Sequence, residues 1–487
     1  MKNIKKFTIL HSNDMHGDFL AEKGKTKLIG GLALLSGYIN KVRKEEENVL
    51  YVIAGDMLQG SIIDTEFKGI STIDIMNYLA PDVVALGNHE FDYGLPQLLF
   101  LEKVANFPIV NANLYIKNFN KRLMKPYLSL KKAGFDILFT GIVTEKVADA
   151  LKKDKLVGSF ITLKEASNEV GRITNAYKND DIDLTIILTH IGFESDKKLA
   201  KMLKPEWGVD MIIGGHSHTV LDQPEKINNI LIAQAGVGTN QIGRFDIEVD
   251  DDTNSIVKWT WKLVPINDEI AKPDRRLLKY IDSYKVEVDK KYNSVLCKLA
   301  TKLTHPAREI ETSLGNLYAD AFAEISESDV AFIGSGAIRT KELGPLVTLQ
   351  NFLTNFPYDD AYHRVTVLGS KLLTIFEHVM RKENRQGEGE CYQVNSNVKA
   401  VYSEKSKKLV SLKIRNEDID KNKLYTFAIA GYHYNCSKDY LNLTLDELNE
   451  TNKSKVITTS VQEVMEEFLR NNQNITRKVE GRLVYVD

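Results

Sequence analysis

Asp14-Met15-His16, Gly55-Asp56, Gly87-Asn88-His89-Glu90, Thr189-His190 and Gly215-His216-Ser217-His218 are short polar islands built from carboxylates, imidazoles and one amide. Imidazole nitrogens and carboxylate oxygens are the donors that zinc, manganese or cobalt ions take. None of the islands contains cysteine, which argues against a structural zinc site, where thiolate is the usual ligand. Asp14 and His16 lie two apart, so in an extended segment both side chains point to one side and can chelate one ion. Asp56 carries two carboxylate oxygens and suits a bridge between two ions. Asn88, His190 and His216 complete the second sphere, and His218 returns to the first. Two ions held about 3.5–4 Å apart generate a hydroxide near neutral pH and clamp the attacking and leaving oxygens of an in-line displacement. The expected chemistry is therefore metal-assisted phosphoester hydrolysis.

His89 is left over from this ligand set. It suits a general acid at the leaving-group oxygen, with Asp92 three residues on to orient its second nitrogen. Asp92 also suits the cap of a helix beginning near Leu95, and Glu90 receives no role. Singly, a histidine or aspartate after a strand is most often a satisfied loop residue; five islands in one stretch of chain weigh against that for the set.

Each island follows an apolar run: Phe7-Thr8-Ile9-Leu10, Val49-Leu50-Tyr51-Val52-Ile53-Ala54, Val83-Val84-Ala85-Leu86, Leu184-Thr185-Ile186-Ile187-Leu188 and Met211-Ile212-Ile213. Runs that are short, β-branched and apolar on both faces predict fully buried strands. The islands then sit at strand C-terminal ends, where layered α/β folds gather their sites on a rigid support. Residues 243–250 and 256–266 read as further strands. Leu32, Leu35, Ile39 and Val42 mark the core face of a helix beginning near Gly31.

The order Asp-x-His, Gly-Asp, Gly-Asn-His-Glu, Thr-His, Gly-His-x-His resembles a calcineurin-like metallophosphoesterase domain. The second half resembles the 5′-nucleotidase C-terminal domain through Glu311-Thr312-Ser313-Leu314-Gly315-Asn316-Leu317-Tyr318-Ala319-Asp320-Ala321, the loop Gly334-Ser335-Gly336-Ala337-Ile338-Arg339 and Phe356-Pro357-Tyr358. What the resemblance implies is an α/β protein. Its N-terminal two-layered β-sandwich, flanked by helices, would be joined by a linker helix to a C-terminal α/β substrate-recognition domain. It further implies Asp14, His16, Asp56 and His218 on one metal, Asp56, Asn88, His190 and His216 on the other, and His89 with Asp92 as a catalytic dyad. Arg339 becomes a phosphate contact reaching over from the second domain, although a surface arginine can equally pair with a nearby carboxylate.

Two departures qualify the substrate. His218 stands where many 5′-nucleotidases carry glutamine. The aromatic residues that sandwich the base in the family are displaced: Cys391-Tyr392-Gln393-Val394 has cysteine at the expected ring, and the stretch Tyr432 to Tyr440 lacks the glycines of the second loop. Tyr392 is the candidate base contact, but adjacent strand residues face opposite sides, so it serves only with a local register change.

We expect a catalytic domain over 1–267, a linker helix over 268–297, with a helix packed on either domain as the alternative for that stretch, and a substrate-binding domain over 298–487. The net charge of −2 over 487 residues leaves no basic footprint for a nucleic acid polymer, and no apolar stretch is long enough to span a membrane. Three cysteines and an N-terminal apolar run too short for a signal segment predict a cytoplasmic protein. The leading function is a 5′-nucleotidase acting on a small phosphate ester with two divalent ions. The alternatives are a cyclic-nucleotide phosphodiesterase or phosphatase on another small metabolite, and a non-catalytic binding protein of the same fold.

Overall fold

All five apolar runs form strands, and the burial pattern explains their composition: Val49–Ala54 and Leu184–His190 have every residue buried. The computed structural model describes residues 4–116, 121–132, 134–145, 157–160, 162–386 and 390–487. The chain forms two compact units, Met1–Val288 and Asp289–Asp487.

The first unit contains two six-stranded sheets. One runs Ser255–Pro265, Gln241–Asp250, Ile4–Ser12, Val49–Ala54, Val83–Ala85, Ile109–Val110, with the last four parallel. The other runs Glu225–Ile227, Ile230–Ala233, Met211–Ile213, Leu184–His190, Phe135–Val143, Tyr127–Lys132, and its four central strands are parallel. Ile9, Val52 and Ala85 of the first sheet share one core with Phe139, Ile186 and Ile213 of the second. The alternate residues Leu138, Ile187 and Ile212 form an outer core with helices Leu163–Ala176 and Phe193–Met202. Helix Leu32–Glu45 packs on strand Val49–Ala54. Burial on both faces is why these strands read as continuous apolar runs, and parallel pairing brings their C-terminal ends to one edge of each sheet.

The stretch expected as a linker contains helix Arg275–Tyr292, within which the two units divide. Its Tyr280 and Tyr284 hydroxyls donate to Asp74 Oδ2 of helix Ile70–Leu79, at 3.4 and 2.7 Å. Over that length the helix is part of the first unit's packing.

The second unit has a five-stranded sheet, Tyr392–Val394, Val330–Gly334, Leu424–Ala430, Tyr362–Leu368, Lys455–Thr458, and a four-stranded one, Glu417–Asp418, Lys408–Ile414, Val398–Ser403, Leu483–Val486. Helix Ser313–Ser326 starts within the motif noted above; Thr312 caps it by accepting from Gly315 N at 3.0 Å.

Candidate functional site

The loops leaving five strand ends of the first unit bring the predicted ligands together. Asp14, His16 and His218 form one cluster of donor atoms, and Asp14, Asp56 and His190 another; His16 and Asp56 also approach His89. His218 Nε2 lies 3.4 Å from Asp14 Oδ1 and 3.2 Å from His16 Nε2. Asn88 Oδ1 lies 2.7 Å from His216 Nδ1.

His190 provides the test of whether these residues suit a cation. Its Nδ1 donates to Ala54 O at 2.8 Å, which leaves Nε2 as a lone-pair acceptor. That acceptor faces Asp56 Oδ2 at 3.0 Å and Asp14 Oδ1 at 3.7 Å, with both carboxylates and the ring buried. Acceptors facing one another in a dry site need a positive charge among them. Burial disfavours the charged ring, yet the Asp56 and Asp14 carboxylates outweigh it and raise His190 to about 9 when a proton supplies that charge. The donors are nitrogen and oxygen throughout, which fits a divalent metal ion.

Backbone strain marks the same residues. Asp14, His16, Asp56, His216 and His218 have φ of 50, 48, 54, 81 and 52°, in the left-handed region that residues with a Cβ seldom occupy. Such strain persists where surrounding structure over-determines it, typically at functional sites. Gly55 (φ 78°) permits the crowding: a Cβ there would lie 2.6 Å from His190 Nδ1 and 2.7 Å from Gly87 N.

His89 Nδ1 lies 2.6 Å from Asp92 Oδ2, and this contact raises the imidazole above its ordinary pKa, helped by the Asp56 charge and opposed by burial. Asp92 does not cap the helix that follows; Leu95–Val104 begins at Gly94 with no side-chain cap. His89 N donates to Asp56 Oδ1 at 2.9 Å.

Two buried carboxylates escaped the sequence reading. Asp196 accepts from the Thr189 hydroxyl at 2.6 Å and Gln234 Nε2 at 2.8 Å, while Gln234 Oε1 accepts from Ser217 at 3.0 Å. It ties the residue before His190 to the residue between His216 and His218, and burial pushes it up to about 7. Glu90 accepts from backbone N–H groups of the Asp56 and Gly87 loops. Asp196 has no local signal, because its partners lie 7 and 38 residues away; Glu90 stood inside an island and showed only its type.

The second unit holds a cleft of about 590 Å³. Arg339 and Tyr358 line it, with the guanidinium 5.9 Å from the ring centroid. Arg339 Nη1 reaches only Gly336 O, at 3.5 Å, and no ion pair holds it among the described residues. Tyr392 departs from expectation: it is 2 % exposed, packs among Phe332 and His433, and does not line the cleft. The strand Tyr392–Val394 keeps its register against Gly334, Ile333 and Phe332, so no shift turns the ring outward. Cys391 is buried as well. Of the aromatic rings that line the cleft, Phe322, Phe332, Phe356 and Tyr362 are buried in its wall, while Tyr358 and Tyr432 are 56 % and 59 % exposed. Arg308, Glu390 and His433 also line it without having been foreseen; Glu390 accepts from Gly336 N at 3.0 Å and Arg308 Nη2 at 3.3 Å.

A hydrolase that works on phosphoesters with divalent metal is the class this fold and donor set define. Comparison with known proteins agrees. Residues 7–220 match the calcineurin-like phosphoesterase family model, and residues 295–441 match the 5′-nucleotidase C-terminal domain model. A 5′-nucleotidase-related protein of Glossina morsitans morsitans is 27 % identical over 98 % of this chain and 94 % of its own length. A 5′-nucleotidase of Vibrio parahaemolyticus is 28 % identical over 88 % and 83 %. The crystal structure of a 5′-nucleotidase precursor from Thermus thermophilus shares the fold, with a TM-score of 0.59, 22 % identity and coverage of 99 % and 100 %. The chain is thus a calcineurin-like phosphoesterase domain followed by a 5′-nucleotidase C-terminal domain, and relatives named 5′-nucleotidase match it over most of its length.

Proposed function

We propose that this enzyme is a 5′-nucleotidase that releases phosphate from nucleoside monophosphates with two divalent ions, zinc, manganese or cobalt. Asp14, His16, Asp56 and His218 hold one ion, and Asp56, Asn88, His190 and His216 the other. The facing acceptors of His190, Asp56 and Asp14 carry this reading. Bound ions supply Lewis-acid chemistry at the phosphoryl group. His89 delivers a proton to the leaving 5′-oxygen, and Asp92, at Nδ1, leaves Nε2 to carry it. Arg339 offers an unpaired guanidinium to the phosphate. A cleft of about 590 Å³ lies within the usual size of small-molecule sites, and the relatives named 5′-nucleotidase support a nucleotide as its occupant.

Burial of Cys391 and Tyr392 favours a second reading, a phosphatase or cyclic-nucleotide phosphodiesterase with another small substrate. Phosphate release from a panel of nucleoside monophosphates, cyclic nucleotides, nucleotide sugars and sugar phosphates separates the two. Preference for a nucleoside monophosphate upholds the first reading, and preference for any other class replaces it. The proposal includes a cytoplasmic location, which three free thiols, Cys297, Cys391 and Cys436, favour; recovery in a secreted fraction would refute it.

A further inference from the structure

Glu90 is 2 % exposed, and its carboxylate is filled by backbone donors from two different loops. Oε1 accepts from Met57 N at 2.7 Å and Leu58 N at 3.4 Å; Oε2 accepts from Asp56 N at 3.0 Å and Gly87 N at 2.5 Å. The first three donors belong to the loop after strand Val49–Ala54, and the fourth to the loop after Val83–Ala85. Hydrogen bonds to an ionised acceptor are about twice as strong as neutral ones. These loops carry Asp56 on one side and Asn88 and His89 on the other.

The two loops meet backbone to backbone. A Cβ on Gly87 would lie 2.2 Å from Asp56 Oδ1 and 2.4 Å from Asp56 N, so no side chain can act as a spacer there. Asp56 is held at φ 54°, a conformation with an intrinsic cost. Something must hold both loops before any ion arrives, since strands fix only the loop bases. Glu90 reaches amides on both sides with four bonds, three of them across to the Asp56 loop, and Asp56 Oδ1 adds one bond in return from His89 N at 2.9 Å.

We infer that Glu90 is a positioning residue: it clips the Asp56 loop to the Gly87 loop in the metal-free protein and presets the separation of Asp56 from Asn88 and His89. Its chemistry requires four acceptor sites and no donor, which glutamate supplies and glutamine does not. In Glu90→Gln, either orientation of the amide turns an NH₂ toward backbone N–H groups and strands buried donors.

The inference rests on Asp56 and Asn88 being metal ligands, and the experiment keeps the two ideas apart. Mn²⁺ is titrated calorimetrically into chelator-stripped wild type and Glu90→Gln, and amide exchange is followed at Met57 and Gly87 without metal. Absence of Mn²⁺ binding to wild type would remove the ligand assignment itself. The clip predicts slow exchange at both amides in stripped wild type, faster exchange in Glu90→Gln, Mn²⁺ affinity lower by about tenfold or more, and kcat falling with KM unchanged. Wild-type affinity in the variant would overturn it. So would rapid exchange at Met57 and Gly87 in stripped wild type, a result that holds even if the variant fails to fold.

Discussion

The metal-binding edge of the first unit and the cleft of the second are built on opposite principles. Asp14, Asp56 and His190 are at most 2 % exposed, and each follows or ends a buried strand. Tyr358 and Tyr432 are more than half exposed, and Arg339 sits on the loop after Val330–Gly334. Holding a cation demands several donors at fixed separations in a dry place, so the protein spends strain and buried carboxylates on it. Recognising the rest of a substrate needs a shaped wall, and different residues can supply that wall. The chemistry is therefore rigid and written in motifs, whereas specificity is open to replacement, as Cys391 and Tyr392 illustrate.

That contrast can be broken at several points. The largest effect is expected from chelation: stripping metal should abolish phosphate release, and manganese, zinc or cobalt should restore it, measured alongside metal content. Activity indifferent to chelation would dissolve the distinction altogether. His89→Ala should lower turnover by roughly 10²–10⁴-fold with metal content unchanged; wild-type turnover would remove His89 from the mechanism. Arg339→Ala should act on the other side of the comparison, raising KM by about 10–100-fold, the equivalent of one charged hydrogen bond. An unchanged KM would show that the guanidinium does not meet substrate.

The smallest effects sharpen the cleft itself. Tyr432→Ala should raise KM about 5–10-fold through lost ring contact. Tyr392→Phe should leave KM unchanged, because it deletes a buried hydroxyl that has no hydrogen-bond partner among the described residues. If Tyr392→Phe weakens substrate binding and Tyr432→Ala does not, the assignment of the cleft's aromatic walls is inverted.

The legible part of the site was legible for a reason. Strands buried on both faces leave unbroken apolar runs, and polar islands directly after them are conspicuous, so Asp14, Asp56 and His190 could be named from spacing alone. Asp196 and Gln234 could not, since what makes them part of the site is a contact across 38 residues of chain. Glu90 was visible as a residue and silent as a function. Its four partners are backbone amides, and an amide carries no sequence identity. In the cleft, Arg308, Glu390 and His433 converge from stretches up to 125 positions apart, and no local pattern links them.

By itself the sequence determined the layered α/β architecture, the sheet edge where chemistry gathers, and the residue types offered to metal, because hydrophobic period and ligand chemistry are properties of short segments. Only the tertiary structure decided which acceptors face one another, that Asp92 serves His89 and not a helix, that Tyr392 turns inward, and that Glu90 joins two loops. Those outcomes depend on distances between segments remote in the chain, and such distances are set by how sheets pair and pack.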